Sequence, residues 1–210
     1  MEDIVIVGAG GFAKEVAFLI DDINKKHRKW NILGFVDIKK TMKNGKYSVV
    51  YNDNDLLNID KEINVIFGIG DSNLILKLSE SYKANKNIKF PNLIHPNVIG
   101  DFERISIGEG NIICASNIFT TDIDIGSFNI FNLNNTIGHD AIIGNFNVIN
   151  PTCNISGGVN LGDKILLGTG SQVLQYVSIT SNTIVGAGAV VTKNITENGV
   201  YVGSPAKKIK

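Results

Sequence analysis

Cysteine, histidine and tryptophan are scarce in this chain of 210 residues, which contains two, three and one of them, respectively. Cys114 and Cys153 lie far apart and show no pairing pattern, so the sequence predicts no disulfide framework. No cluster of histidine, cysteine and carboxylate residues has metal-ligand spacing, and no G-x-S-x-G turn is present. We therefore expect neither a metal site nor a serine nucleophile.

Net charge and long apolar runs are also absent. Twenty Lys and Arg residues balance twenty Asp and Glu residues. Without a basic stripe, the sequence does not predict a nucleic-acid partner. No apolar run approaches the length of a membrane span, and the N-terminus lacks the basic segment and cleavage site of a signal peptide. These absences predict no membrane association and a cytoplasmic location.

A six-residue repeat dominates the second half of the chain. From Ile107 to Val191 every sixth residue is large and apolar, fifteen positions in all. A helix would show three- and four-residue spacing and a single strand would alternate, so the period fits neither. Hexapeptide repeats of this kind predict a parallel β-helix, here of about five coils. Three hexads per coil are indicated by glycines that recur every 18 residues, Gly108, Gly126, Gly144 and Gly162.

The side chain four residues after each apolar one must fit inside the narrow interior of the predicted β-helix. It is small or uncharged in most hexads: Asn111, Asn117, Asn129, Asn135, Ala141, Asn147, Cys153, Ser171, Thr183 and Ala189. Because Cys153 occupies such a position, we predict a buried thiol there and not a catalytic nucleophile.

The first ninety residues predict one βαβαβ half of a doubly wound fold. A β-branched run at 3–7 ends in Gly8-Ala9-Gly10-Gly11 and precedes a helical pattern at 12–24; further strands are expected at 32–36 and 65–67 and a helix at about 73–85. Strand, glycine turn and helix suit a phosphate, because the backbone can approach it and the helix N–H groups favour an anion. Residues 8–13 match the dinucleotide-binding motif G-x-G-x-x-[GA]. A single half of the doubly wound fold, however, suits a mononucleotide, or a sugar carried on one, better than a dinucleotide. Alternatively, the glycines bind no ligand and only permit a tight turn between the strand and the helix.

Domain bounds follow from these patterns. We predict an α/β domain at 1–92 that binds a nucleotide sugar, a β-helix domain at 93–195 and a C-terminal tail at 196–210.

His139 is the strongest candidate for chemistry among the three histidines. It follows a corner glycine in Gly138-His139-Asp140, so its side chain should point away from the packed tube. An imidazole of near-neutral pKa can take a proton from an attacking amine or hydroxyl, and Asp140 could hold it in place. His27 lies in a basic run and is expected to be solvated, whereas His95 could be a local cap or part of a cleft.

Six segments carry motifs in a characteristic order: residues 7–11, 93–96, 137–146, 156–159, 184–191 and 202–206. Together they resemble one family, the left-handed β-helix acyltransferases that include sialic-acid O-acetyltransferases and nucleotide-sugar N-acetyltransferases. The resemblance covers essentially the whole chain and implies the left hand of the coil. It also implies a homotrimer with active sites between subunits, acetyl-CoA lying along the β-helix, and a nucleotide-linked amino sugar held by the N-terminal domain.

Site residues carried over by this resemblance fall into two groups. For the transfer, His139 would be the general base with Asp140 as its partner, the amide of Gly157 would bind the acetyl carbonyl oxygen, and the backbones of Thr169 and Ala187 would contact the pantetheine arm. Several relatives carry a second histidine, near the thioester, where this chain has Val148. The nucleotide pocket would be lined by Gly10, Gly11, Phe12, Asp37 and Gly70.

The implied function is an acetyl-CoA-dependent N-acetyltransferase. Its acceptor would be the amino group of a nucleotide-linked amino-deoxysugar, of the 4-amino-4,6-dideoxy type, for surface polysaccharide or glycan synthesis. Two alternatives remain open: O-acetylation of sialic acid or another sugar hydroxyl, and a non-catalytic hexapeptide-repeat scaffold.

Overall fold

The computed structural model describes residues 1–38, 43–44 and 46–210. It divides into two compact units, Met1–Pro96 and Asn97–Lys210. The domain bounds drawn from the sequence alone stay a prediction. Of the helices in the described part of the chain, none combines the length and apolar character needed to cross a bilayer.

The first unit contains a mostly parallel sheet with helices. Its elements are β1 (Glu2–Val7), α1 (Gly11–Lys26), β2 (Trp30–Val36), β3 (Lys43–Asn44), β4 (Tyr47–Tyr51), α2 (Asp53–Leu57), β5 (Ile63–Phe67), α3 (Ser72–Tyr82), β6 (Ile88–Lys89) and β7 (Leu93–Ile94). The sheet order is β3-β4-β2-β1-β5-β6, with only the β3–β4 pair antiparallel. The predicted βαβαβ arrangement is confirmed, and β3, β4, α2 and β6 are additions that the sequence patterns did not predict.

Burial explains the central strands of this sheet. Residues 4–7 of β1 and all of β5 are buried, as expected for parallel strands covered on both faces. Helix α1 buries the predicted apolar stripe, Val16, Leu19, Ile20 and Ile23.

The second unit is a parallel β-helix with three sheets as its faces. Face 1 contains β10 (Ile112–Ile113), β13 (Ile130–Phe131), β16 (Val148–Ile149), β19 (Leu166–Leu167), β22 (Thr183–Val185) and β24 (Gly199–Val202), followed by the antiparallel β25 (Lys207–Lys208). Face 2 contains β8 (Ile99–Gly100), β11 (Ile118–Phe119), β14 (Thr136–Ile137), β17 (Asn154–Ile155), β20 (Gln172–Val173) and β23 (Val190–Val191). Face 3 contains β9 (Ile105–Ile107), β12 (Ile123–Ile125), β15 (Ile142–Ile143), β18 (Asn160–Leu161) and β21 (Ser178–Ile179).

The strand register follows the 18-residue period. Ile113 pairs with Phe131, which pairs with Ile149, and all three side chains are buried inside the tube. The parallel β-helix predicted from the repeat is thereby confirmed. Within this unit, two faces carry six parallel strands and the third carries five, which differs slightly from the predicted five coils.

Three edges join the faces, and each edge has one residue per coil in the left-handed backbone region. Edge 1 carries Ser116, Asn134, Thr152, Gly170 and Gly188; edge 2 carries Asp122, Asp140, Gly158 and Tyr176; edge 3 carries Gly110, Phe128, Phe146, Lys164 and Asn182. The N–H of such a residue donates to a carbonyl one coil earlier, as Gly158 does to His139 at 2.7 Å.

The corner glycines predicted from the sequence serve a different purpose from these left-handed residues. Gly108, Gly126 and Gly144 do not have positive φ. A Cβ on each would lie 2.8, 2.7 and 2.7 Å, respectively, from the backbone oxygen of the next glycine in the stack. Close stacking of coils therefore requires glycine at these positions.

Asparagines form a hydrogen-bonded ladder inside the tube. Oδ1 of Asn111 accepts from the backbone N–H of Asn129 at 2.9 Å, Oδ1 of Asn129 accepts from Asn147 at 2.9 Å, and Oδ1 of Asn147 accepts from Ile165 at 2.7 Å. The inward positions are thus small or polar as predicted. Cys153 is fully buried beside them, and this burial raises the pKa of its thiol.

Candidate functional site

The His139 side chain projects from edge 2 and is held by its neighbour. His139 Nδ1 lies 2.6 Å from Oδ2 of Asp140, and about half of the imidazole is exposed. Asp140 has a φ of 57°, a backbone conformation that aspartate adopts more readily than most residues. When Nδ1–H donates to the carboxylate, Nε2 keeps its lone pair and can accept a proton.

Gly157 faces this imidazole from the next coil. A Cβ on Gly157 would lie 2.6 Å from Nε2 of His139. The residue is buried, and its N–H donates to no acceptor among the described residues. A Cβ on Gly138 would collide with the Gly157 nitrogen, so glycine at 138 leaves that nitrogen uncovered. A proton acceptor and an unpaired N–H donor therefore lie side by side on edge 2.

Thr169 and Ala187 stack on a different edge from His139. The N–H of Gly188 donates to the carbonyl of Thr169 at 2.9 Å, and a Cβ on Gly168 would collide with Ala187, which places both predicted residues on edge 1. Both are exposed, and neither backbone N–H has an acceptor in the described chain. One copy of the chain therefore does not bring the edge 1 and edge 2 residues together.

Val148 lies on face 1, in β16, and belongs to neither of these edges. It pairs with Ile130 and Leu166 of the neighbouring coils and is 7% exposed. In the single chain it packs as an apolar residue of that face.

The predicted nucleotide-pocket residues lie at one edge of the sheet in the first unit. Asp37 directly follows β2, Gly10 follows β1, and Gly70 follows β5. These three strands are adjacent and parallel, so their carboxyl ends meet at the same sheet edge, where α/β folds bind ligands. A Cβ on Gly10, Gly11 or Gly70 would have no atom within 4 Å, so open space adjoins them.

Helices α1 and α3 differ at their N-termini, both of which lie at this sheet edge. The Asp71 carboxylate caps α3 by accepting from the N–H groups of Asn73 and Leu74 at 2.9 and 3.1 Å. Helix α1 has Gly10 as its cap, begins with Gly11 and Phe12, and has no acidic residue in its first turn. The start of α1 is therefore the better place for a phosphate.

The remaining histidines lie in the first unit. His27 is an exposed C-terminal cap of α1. His95 Nε2 lies 3.4 Å from Oδ2 of Asp22, which also pairs with Lys25 at 2.5 Å. Hydrogen bonds from Lys25 and then His95 lower the pKa of the Asp22 carboxyl. Sequence patterns did not predict this Asp22 contact, because 73 residues separate the partners.

In residues 1–38, 43–44 and 46–210, no three His, Cys, Asp or Glu side chains lie close enough together to hold a metal ion.

Comparison with known proteins gives a consistent picture. Residues 3–82 match the family model of the PglD N-terminal domain. No curated protein matches the chain.

Three solved structures are similar over the full length of the chain. A mutant of perosamine N-acetyltransferase from Caulobacter crescentus, in complex with CoA and GDP-perosamine, is 27% identical over 100% of this chain and 98% of that one, with a TM-score of 0.91. The acetyltransferase domain of PglB from Neisseria gonorrhoeae is 25% identical over 100% of both chains, with a TM-score of 0.91. WeeI from Acinetobacter baumannii is 26% identical over 100% of both chains, with a TM-score of 0.88.

Proposed function

We propose that the chain is a nucleotide-sugar acetyltransferase of the hexapeptide-repeat family, which transfers the acetyl group of acetyl-CoA to the amino group of a nucleotide-linked amino-deoxysugar. The observation that carries this proposal is the full-length similarity to an N-acetyltransferase that was solved with CoA and GDP-perosamine. Both the α/β unit and the β-helix take part in that similarity.

The α/β unit supports a nucleotide-carried acceptor. Gly10, Asp37 and Gly70 lie at the carboxyl ends of three adjacent strands, and α1 starts there without an acidic residue. We propose that the diphosphate of the acceptor lies at the start of α1, with Gly11 and Phe12 beside it, and that Asp37 and Gly70 contact the nucleoside. Free sialic acid would not need such a site, so these features favour an amino sugar carried on a nucleotide.

The proposed reaction uses the side chain and the amide that adjoin on edge 2. The acceptor nitrogen attacks the thioester carbonyl carbon while Nε2 of His139 takes a proton from that nitrogen. The Gly157 N–H donates to the oxyanion, and Asp140 stabilises the imidazolium through Nδ1. The oxyanion then collapses, the carbon–sulfur bond breaks, and the imidazolium proton passes to the departing thiolate. The products are the acetamido sugar nucleotide and CoA.

A homotrimer would complete this site. Thr169 and Ala187, whose unpaired N–H groups suit the pantetheine arm, lie on edge 1, whereas His139 and Gly157 lie on edge 2. We propose that edge 1 of one subunit faces edge 2 of its neighbour, with acetyl-CoA between them. Because both substrates are intracellular metabolites, we place the reaction in the cytoplasm, as a step of glycan synthesis.

The test combines binding with turnover. CoA and a panel of GDP-, UDP- and dTDP-linked 4-amino-4,6-dideoxyhexoses are screened by thermal shift, since a ligand at 100 times its Kd adds about 2.7 kcal/mol of stability. The best binder is then assayed for release of the CoA thiol and for an N-acetyl product by mass spectrometry. The matched control is the same nucleotide sugar with a hydroxyl in place of the amine, which should accept no acetyl group. Acetylation of that hydroxyl, or of free sialic acid, would contradict the proposal.

A further inference from the structure

Tyr176 is an exposed aromatic residue on edge 2, one coil beyond Gly158. Its φ is 61°, and 68% of the residue is exposed in the single chain. A bulky residue is uncommon in this backbone region, because its Cβ crowds the carbonyl oxygen. Strain of this kind persists where other interactions or a function maintain it.

Phe128 on edge 3 shows how burial can maintain such a residue. Its φ is 59° and its ring covers Gly110, so that a Cβ on this glycine would lie 2.5 Å from a carbon of the ring. The Phe128 residue is only 2% exposed and stacks on Phe146 with a centroid distance of 5.2 Å. Apolar burial therefore accounts for the aromatic side chain at position 128.

Tyr176 covers Gly158 in the same way but without that burial. A Cβ on Gly158 would lie 2.5 Å from Cε1 of Tyr176. Since most of Tyr176 is exposed in the single chain, packing within the chain does not account for an aromatic residue at this position. What distinguishes Tyr176 from Phe128 is its place next to the proposed catalytic turn.

The Gly157-Gly158 dipeptide lies between two rings. On one side is the imidazole of His139, whose Nε2 would lie 2.6 Å from a Cβ on Gly157; on the other is the phenol ring of Tyr176 over Gly158. Backbone bonds tie the dipeptide to both coils: Gly158 donates to the His139 carbonyl at 2.7 Å, and Tyr176 donates to the Gly157 carbonyl at 3.0 Å. Any rotation of the dipeptide would change the position of the Gly157 N–H relative to Nε2.

We infer that Tyr176 is a positioning residue for acyl transfer, because its ring holds the Gly157-Gly158 turn so that the Gly157 N–H stays beside Nε2 of His139. The inference rests on the proposed function, in which those two groups act on the thioester and on the acceptor amine. Tyr176 acts through the dipeptide and takes no proton.

The test compares Tyr176→Gly with Tyr176→Phe. Glycine removes the ring and adopts positive φ freely, so the melting temperature should stay the same or rise, while kcat falls about 10-fold through misplacement of the donor. KM for the acceptor should not change, and Tyr176→Phe should retain wild-type kcat because the ring is kept. If Tyr176 only stabilised the fold, the melting temperature and kcat would fall together in the glycine variant.

A matched control is Lys164→Gly, which makes the same backbone change at a φ of 55° on edge 3. It should raise the melting temperature or leave it unchanged, with kcat unaltered. A loss of kcat in Lys164→Gly equal to that in Tyr176→Gly would overturn the inference, because the effect would then belong to any left-handed position.

A binding measurement separates this inference from the proposed function. Calorimetry gives the affinities of wild type and Tyr176→Gly for acetyl-CoA and for CoA. The wild type should prefer acetyl-CoA, whose carbonyl meets the Gly157 N–H, and the glycine variant should lose that preference while still binding CoA. If the variant keeps both the preference and wild-type kcat, the inference is wrong and the proposed function stands. Wild-type protein that binds neither ligand would contradict the proposed function itself.

Discussion

Nε2 of His139 and the Cα of Gly157 face each other across one coil of the β-helix, with 2.6 Å between that nitrogen and the position of a Cβ on the glycine. The two residues are 18 positions apart, and Gly157 does not have positive φ. Glycine at 157 is therefore explained by the imidazole beside it.

Gly157→Ala should disable transfer without unfolding the protein. The added methyl group would displace the imidazole, and a shift of about 1 Å in a reacting group costs on the order of 100-fold in rate. Steady-state kcat and the melting temperature check this. Gly100→Ala is the control, because its Cβ would contact Phe102 and Ile105 at 3.2 and 3.3 Å, away from the site. Full activity of Gly157→Ala would show that the imidazole need not occupy its present place.

His139→Ala should lose roughly 100- to 10,000-fold in kcat, the usual contribution of a general base. Asp140→Asn should lose less, because asparagine keeps the side-chain shape and tolerates the left-handed backbone but lacks the charge that stabilises the imidazolium. Both variants should bind CoA as the wild type does in calorimetry. Near-normal turnover by His139→Ala would remove His139 from the mechanism.

Ala187→Pro should weaken acetyl-CoA binding specifically. Proline removes the backbone N–H proposed to contact pantetheine, and Pro151 already occupies the equivalent edge 1 position two coils earlier. Loss of one hydrogen bond worth about 1 kcal/mol should raise Kd for acetyl-CoA about fivefold. Calorimetry measures this, and an unchanged Kd would place the pantetheine arm elsewhere.

Mixing variants tests whether two subunits share each site. His139→Ala damages edge 2 and Ala187→Pro damages edge 1. Refolding the two together creates interfaces in which both contributing edges are intact. At low acetyl-CoA, the mixed preparation should be more active than the mean of the separate ones, and light scattering should report a trimer. Activity equal to that mean would mean that one chain supplies the whole site.

Asn129→Leu should destabilise the β-helix. It leaves the Asn147 N–H inside the tube without its acceptor, and an unsatisfied buried group costs about 1–3 kcal/mol. Urea unfolding measures the loss. Thr136→Val is the control, because Thr136 bonds Asn154 on the exposed surface and its loss should cost within about 0.5 kcal/mol. Equal losses of unfolding free energy in the two variants would show that the buried hydrogen bond contributes no more to stability than the exposed one.

Asp22→Asn should give a pH-dependent loss of stability. Because Lys25 and His95 lower the pKa of Asp22 in the folded state, the ionised carboxyl stabilises the fold above its unfolded pKa, and this contribution disappears as the pH falls through the folded pKa. The cost at pH 7 should be under about 1 kcal/mol for this partly exposed pair and should decrease as the pH falls through the folded pKa. Asp60→Asn, which has no ion pair in the described chain, should show no such dependence in pH-resolved denaturation.

Sequence periodicity predicted the β-helix because each inward position must hold either an apolar side chain or one that is small or uncharged enough to fit inside the tube. The hexad residues such as Phe131 and Ile149 are buried where the repeat placed them, and the asparagines four residues later lie inside the tube. The short elements β3, β4, α2 and β6 have too few residues to show a period, so the sequence patterns did not reveal them.

The site was predictable only in part. The sequence placed His139 at a corner, but adjacency could not establish that Nδ1 contacts the Asp140 carboxylate, since that depends on the left-handed backbone of Asp140. The role of Tyr176 had no sequence signal, because its relation to Gly158 exists only when coils stack.

By itself, the sequence determined which residues face the interior of the tube and which strands of the α/β unit are buried, because period and hydrophobicity are local properties of the chain. Tertiary structure decided which residues meet: His139 with Gly157, Tyr176 with Gly158, and Thr169 on another edge from both pairs. The reason is geometric. Residues 18 positions apart come into contact only after a full coil closes, and the faces between edges keep the remaining candidates apart in a single chain.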